Sequence, residues 1–527
     1  MKALNHLKSS FIRAGALLTI SASLSTAPVY AAKPFAVEET SVAEIEAAFK
    51  AKTLTCHQLV ANHLARIEAY DRQGPSLRAL LTINSNALAK ADQLDAAYAK
   101  SGPVGPLHCI PLILKDNYNT ADMPTTDGSA SMAYNQPAKD AFVVSNLRAA
   151  GALILAKANM HEFAVSGTTV SSLGGQTLNP YDLTRTPGGS SGGTAAAIAA
   201  SFGVVGTGSD TVNSIRSPAS ATALVGFRPT RGLLSRDGII PVSETQDAIG
   251  PITRTVADAA LMLAVMKGVD PNDPATEASA GKSPKDYLSS LDANGLKGAR
   301  IGVIKTMFGT EKIHDEVNAV MSKSIETMKT AGATIIEIND PRLDANLIGK
   351  DNDVQKYEFA ALIKNYLASV PNTQVHSVQD ILASGKYHAA STGKFLKSAA
   401  DIQDGLHDPD YLLRLQRNIA TRKVVEKVLE DHHLDALIYP LQKRLVVPVD
   451  ELNQADRNGI LASVTGMPVI TVPAGFSTPS DNAPLGVPIG MDILGKAWSE
   501  PTLLKLAYAF EQVSKIRKPP ASTPPLD

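Results

Sequence analysis

The segment Gly188-Gly189-Ser190-Ser191-Gly192-Gly193-Thr194-Ala195-Ala196-Ala197-Ile198-Ala199-Ala200 narrows the choice of fold more than any other in this chain. Its glycines let the backbone turn sharply and approach neighbouring backbone closely. The run that follows is rich in alanine and predicts a short helix whose small side chains bring it close to the surface it covers. Gly203-Val204-Val205-Gly206 then predicts a strand, so a helix packed tightly on a sheet is the expected result. A second polar stretch, Ser209-Asp210-Thr211-Val212-Asn213-Ser214-Ile215-Arg216-Ser217-Pro218, follows directly.

Apolar patterning extends this picture along the chain. Ser41-Val42-Ala43-Glu44 and Thr55-Cys56-His57-Gln58 are capping-box starts of two N-terminal helices. Strands are predicted at 109–114, 153–156, 299–304, 334–338, 436–439, 469–472 and 488–494, with helices at 143–150, 316–331 and 501–515. Strand–helix–strand alternation implies a buried sheet with helices on both faces. The expected fold is α/β, a three-layer α/β/α arrangement around a large twisted mixed sheet, mainly parallel. One domain over residues 38–520 is expected, with a mainly helical insertion at about 345–435.

The 527 residues carry a formal net charge of -1, with 44% hydrophobic and 19% charged residues. Such a balance provides no field to hold a phosphate backbone, so a nucleic-acid partner is not expected. Lys2, Lys8 and Arg13 precede the apolar stretch Ala14 to Ile20, and Val29-Tyr30-Ala31-Ala32 supplies small residues. That order is the pattern of a secretory signal peptide, residues 1–31, cleaved after Ala31. The stretch is too short and too polar for a bilayer span, so no membrane association is expected after cleavage and the mature chain is expected to be periplasmic or secreted. Cys56 begins a helix and Cys109 lies in an apolar run, and we expect two separate buried thiols, although one bridge is possible.

Glycines alone carry several chemistries. Gly193-Thr194 lacks the lysine of a phosphate loop, and Gly206-Thr207-Gly208-Ser209-Asp210-Thr211 lacks the third glycine of a dinucleotide site. Gly188-Gly189-Ser190-Ser191-Gly192 fits a Gly-x-Ser-x-Gly nucleophile elbow, which would need a later acid and histidine. The available histidines, His407 and the pair His432-His433, stand in polar sequence, and no spacing suggests a metal site. The Ser-x-x-Lys match Ser279-Ala280-Gly281-Lys282 falls in a Pro/Ala-rich connection where chance matches arise.

Lys115 stands at the end of an apolar run, where a strand would present it at the carboxyl edge of the sheet. To act as a base it must be neutral, and at an ordinary pKa of about 10.4 only about one molecule in a few thousand is neutral at pH 7. Burial can lower that pKa by several units. On its own, Lys115 would read as a surface ion pair with Asp116.

Taken together, Cys109-Ile110-Pro111 through Lys115-Asp116-Asn117, the Gly188–Gly193 turn and the Asp210–Pro218 segment resemble the amidase signature family. Asn179-Pro180, Gly226-Phe227-Arg228-Pro229 and Thr465-Gly466-Met467-Pro468 extend the resemblance over most of the chain. It implies Lys115 as base, Ser190 as a bridging serine after a cis peptide bond, and Ser214 as nucleophile, with no metal and no cofactor. Backbone N–H groups of 211 to 214 would face the oxyanion, and Thr211, Val212, Asn213, Ser191, Asp210 and Arg216 are placed in the oxyanion and substrate-binding surroundings. Val212-Asn213 departs from the family's Gly-Gly, which raises a conformational question if either position needs φ > 0.

Arg236-Asp237-Gly238-Ile239-Ile240-Pro241 and Ala497-Trp498-Ser499-Glu500-Pro501, with the leader, resemble the exported peptide-amidase branch. The expected activity is hydrolysis of a carboxamide, a small-molecule or peptide amide, through an acyl-enzyme on Ser214 with release of ammonia or an amine. Its pocket is expected to draw on residues 345–443, including Tyr439 and Gln442. Two alternatives stay open: an inactive exported binding protein of the same fold, and an esterase using Ser190.

Overall fold

A computed structural model describes residues 35–526, and the expected leader, residues 1–31, lies outside the described residues. From Ala36 onward the chain clusters as a single unit. Its strands in chain order are β1 (Leu80–Ile83), β2 (Pro111–Lys115), β3 (Leu153–Ala158), β4 (Val170–Ser171), β5 (Gly175–Gln176), β6 (Val205–Asp210), β7 (Val225–Arg228), β8 (Ala248–Thr253), β9 (Arg300–Ile304), β10 (Thr334–Ile338), β11 (Ala436–Pro440), β12 (Val469–Phe476) and β13 (Pro488–Leu494). All but the small hairpin β4–β5 form one sheet of 11 strands, ordered β1-β3-β2-β6-β8-β7-β12-β13-β11-β9-β10.

The sheet is mixed, as expected, but its parallel pairings sit in two flanks. β3, β2 and β6 run parallel on one side, and β11, β9 and β10 on the other. Between them β8, β7, β12 and β13 pair antiparallel, so the expectation of a mainly parallel sheet is corrected at the centre. The physical reason is connectivity: β12 turns straight back into β13, and β7 reaches β8 through a loop without a crossover helix. Strands β2, β3, β6, β7, β8, β11 and β13 are buried along their whole length, which requires cover on both faces of the sheet.

The small-residue run forms the helix Gly192–Ala199, with every residue buried. Gly193 shows why side chains are excluded there, since a Cβ would overlap the carbonyl oxygens of Asn159 and Ala79. Between β10 and β11 the chain forms the helices Ala345–Asn352, Gln355–Ala368, Val378–Ser384, Ala389–Asp401 and Pro409–Asp431. These helices share core with the rest of the molecule: Phe359, Ile363 and Leu367 belong to one cluster with Met132, Met160 and Phe163.

The cysteines correct a second expectation. Cys56 and Cys109 form a disulfide with their Cα atoms 5.7 Å apart, rather than remaining two thiols. The bond joins the first turn of the helix Cys56–Ile67 to the residue two positions before β2. That adjacency is tertiary, and a pair 53 positions apart in sequence carries no trace of it.

Candidate active site

β2 and β6 are parallel neighbours, pairing Leu112 with Val205 and Ile113 with Gly206, so their carboxyl ends lie at the same edge of the sheet. β2 ends on Lys115 and β6 on Asp210, which places the lysine beside the segment that carries Ser214. The turn before the helix Gly192–Ala199 brings in Ser190 across a cis Gly189–Ser190 bond. The His161 N–H donates to the Ser190 carbonyl at 3.0 Å, and the Ser191 N–H donates to the Ser214 carbonyl at 3.2 Å. The second of these backbone bonds ties the turn carrying Ser190 to the segment carrying Ser214.

The Lys115 ammonium nitrogen donates to Ser190 Oγ at 2.7 Å and to Ser209 Oγ at 2.8 Å. Lys115 and Ser190 are fully buried, whereas Ser214 is 6% exposed. Among the described residues the Ser214 hydroxyl has no hydrogen-bond partner. The arrangement therefore has direction, with the lysine at the blind end and Ser214 at the accessible one. Burial lowers the Lys115 pKa to about 7, against the opposing pull of Asp127, Asp210 and Asp247. Asp116 is not its partner: that carboxylate pairs with Lys157 at 3.1 Å and accepts from Thr126.

The loop after β6 is held from behind by a buried ion cluster. Asp210 accepts from Arg216 Nε at 3.1 Å, from Arg228 Nη1 at 2.9 Å and from the Ile215 N–H at 3.1 Å, while Arg216 also donates to Asp492 at 2.7 Å. Burial favours the neutral acid at Asp210, but the two guanidiniums outweigh it and hold the carboxyl below its usual range. Both Asp210 and Arg216 are fully buried, so they shape the loop from its inner side. Thr211 donates from Oγ1 to Asp247 at 2.6 Å, and its carbonyl accepts from Ser463 Oγ at 2.5 Å.

Val212 and Asn213 take up the place expected for glycines without strain, since neither has a positive φ. The Val212 side chain packs against the cluster containing Ile460, Leu461 and Val464. Gly459 makes room for the pair, because a Cβ on it would overlap Asn213 Cβ. Among the described residues the N–H groups of Val212, Asn213 and Ser214 donate to no acceptor, which leaves three donors for a developing oxyanion.

The other sequence candidates separate from this site. His407 is exposed and bonded to Asp404, His432 and His433 are exposed, and among the described residues no histidine ring bonds Ser190. The elbow mechanism through Ser190 and a histidine therefore has no base. Ser279 Oγ donates to the Thr276 carbonyl, and Lys282 meets Ser279 through its backbone N–H, which donates to the Ser279 carbonyl at 3.0 Å. Tyr439 is fully buried and Gln442 nearly so, with Ser217 Oγ 3.5 Å from Gln442 Oε1. Among the described residues no group of three or more His, Cys, Asp or Glu could hold a metal ion.

Sequence reasoning missed Ser209. It read the strand as ending near Gly206, whereas β6 runs on to Asp210 and its period of two turns Thr207 and Ser209 to the same side. Thr207 Oγ1 accepts from the Lys115 N–H at 3.3 Å and Ser209 Oγ from its ammonium. A hydroxyl at alternate positions facing a lysine was the available signal.

Comparison with known proteins agrees with this geometry. The profile of the Amidase family matches residues 58–504. A probable amidase of Arabidopsis thaliana is 32% identical over 94% of this chain and 94% of its own length. A glutamyl-tRNA(Gln) amidotransferase subunit of Alkaliphilus metalliredigens is 32% identical over 92% of this chain and 98% of its own. Among solved structures, the native peptide amidase of Stenotrophomonas maltophilia superposes with a TM-score of 0.82 at 36% identity, covering 92% of this chain and 98% of that one. The chain belongs to the amidase family and is a hydrolase of the amide C–N bond, of the amidase signature type.

Proposed function

We propose that the protein is an exported amidase in which Ser214 is the nucleophile, Ser190 the proton relay and Lys115 the base. The observation that carries this reading is the buried Lys115 ammonium nitrogen 2.7 Å from Ser190 Oγ, with Ser191 holding the backbone of Ser214. A serine hydroxyl attacks a carboxamide only when a neighbour takes its proton. Ser190 receives that proton from Ser214 while passing its own to neutral Lys115. When the C–N bond breaks, the proton returns through Ser190 to the leaving nitrogen and ammonia or an amine departs. Water then attacks the acyl-enzyme by the same route, and the acid is released. The free N–H groups of Val212, Asn213 and Ser214 stabilise the oxyanion in both halves.

The likeness to a peptide amidase favours peptide C-terminal amides as substrates. The near-zero net charge favours a small-molecule or peptide substrate over any nucleic acid. Export to the periplasm or beyond is supported by the leader pattern and by the buried disulfide, a bond that persists in oxidising compartments. The test measures ammonia or amine release from a panel of peptide amides, aliphatic amides and anilides, together with labelling by a fluorophosphonate probe. Wild type is expected to release ammonia and to be labelled, and Ser214→Ala to do neither. Hydrolysis unchanged in Ser214→Ala sinks the assignment.

A further inference from the structure

Lys115 has two hydroxyl partners, Ser190 Oγ and Ser209 Oγ. Ser209 Oγ accepts from Lys115 at 2.8 Å and from Asn117 Nδ2 at 2.9 Å, so its acceptor positions are filled and its own hydrogen is uncommitted. Ser209 is 5% exposed, although Lys115 and Ser190 are fully buried. Its exposure is to a cavity of about 510 Å³ whose wall also includes Asn119, Ser243, Asp247, Asn365 and Tyr366, and to which Ser190, Thr211 and Ser214 do not contribute. The lysine therefore lies one hydroxyl away from a cavity whose lining includes Ser209 and not Ser214. Neither Asn117 nor Asp127 lines that cavity, but among the described residues both carboxyl oxygens of buried Asp127 and Oδ1 of Asn117 have no hydrogen-bond partner.

We propose that Ser209 and this cavity form a proton port for Lys115, through which the base sheds a proton to solvent without passing the substrate. The proposal rests on Lys115 being the base. The need for a port follows from the proton balance. Within acylation and deacylation the proton that Lys115 takes is returned, but the product is a carboxylic acid with an ordinary pKa of about 4. In the site it reacts as R–COOH + Lys115–NH2 → R–COO⁻ + Lys115–NH3⁺, relayed by Ser190. The next turnover requires the amine again. Lys115–NH3⁺ gives a proton to Ser209 Oγ as the Ser209 hydrogen passes to water in the cavity, and the chain is restored when the hydroxyl turns back. The charges acting on Lys115 are the carboxylates Asp127, Asp210 and Asp247. Asp116 is matched by Lys157, and at the cavity wall Arg236 pairs with Glu244 and Asp273.

The test uses the full chain with a peptide amide for turnover and an activated ester for the first-turnover burst. Ser209→Ala is expected to lower steady-state kcat by about tenfold or more, to leave the burst largely intact, and to regain kcat as imidazole concentration is raised. Ser209→Thr keeps a hydroxyl and is expected to keep kcat. Leu362→Trp, in the cavity wall and outside the Lys115 contacts, is expected to lower kcat with KM and burst unchanged. An equal fall of burst and kcat in Ser209→Ala without imidazole rescue overturns the port, because it shows that Ser209 only positions Lys115. So does a Leu362→Trp enzyme with unchanged kcat, or one that changes KM alone, which makes the cavity a substrate pocket. Wild type inactive on every amide defeats the proposed function itself, whereas a Ser214-dependent enzyme indifferent to Ser209 defeats only the port.

Discussion

Water is stripped from Lys115 by full burial, and that sets the pH at which the proposed relay is expected to run. Its amine titrates near pH 7 because burial disfavours the ammonium more than Asp127, Asp210 and Asp247 favour it. With Lys115 as the proposed base the reactive form is the neutral one, so the sign is fixed: protonation is expected to remove activity. We expect kcat/KM to rise about tenfold per pH unit below the lysine's pKa and to level off above it. A profile from pH 5 to pH 9 checks this, and a flat profile across pH 7 contradicts Lys115 as the base. Gly459 provides a second residue-scale test. A side chain there meets Asn213 Cβ and the Val212 carbonyl, so Gly459→Ala is expected to shift the loop that carries the free N–H groups. A loss of about 100-fold in kcat is expected, the usual effect of one misplaced oxyanion donor. Comparable far-UV circular dichroism of the two proteins separates this loss from unfolding.

At the scale of elements, what was legible in the sequence was what the chain spells locally. The apolar runs at β2, β3, β9, β10, β11 and β13, the capping boxes before Val42 and Cys56, and the small-residue helix all appear where patterning placed them. β8 was missed because Ala248-Ile249-Gly250-Pro251-Ile252-Thr253 mixes breakers with apolar residues, and its strand character comes from the partners β6 and β7 on either side. The lysine and the two serines were legible because turn, strand end and loop each carry a local signature, but the Ser209 contact required the register of β2 against β6. The disulfide was illegible for the same reason. It ties the helix Cys56–Ile67 to the entry of β2, which ends on Lys115. Removing it in Cys56→Ser is expected to cost about 2–4 kcal/mol. Thermal melts with and without reductant check this: wild type should melt lower when reduced, and the variant should not respond.

Across the whole molecule, the helix Gly192–Ala199 links the site to both outer parts of the chain. Its N-terminus follows Ser190 and Ser191, and its C-terminal carbonyls are gathered by arginines from three distant segments. Arg66 donates to the Ala200 carbonyl at 3.0 Å and to Thr523 at 2.9 Å, and Arg517 reaches Ala223 at 2.8 Å and Glu39 at 2.7 Å. Arg254 is the centre of this cap, donating to the carbonyls of Ile198 at 3.0 Å, Gly203 at 2.9 Å and Thr40 at 2.6 Å. Cations suit the carbonyl end of a helix, and here they also fasten residues near 40 and 520 onto the segment that positions Ser190. Arg254→Ala removes the donor from the carbonyls of Gly203 and Thr40, while the Ile198 carbonyl keeps the Ser201 N–H at 3.2 Å, at an expected cost of about 2 kcal/mol or more. Arg254→Lys is expected to recover only part of that, since one ammonium cannot span carbonyls arranged for a planar fork. Because the strain enters at the helix that carries Ser190, activity should fall before the global melt as temperature is raised. Measuring amide hydrolysis and circular dichroism on one temperature ramp tests the coupling: two curves falling together in Arg254→Ala would mean that the cap supports the fold without tuning the site.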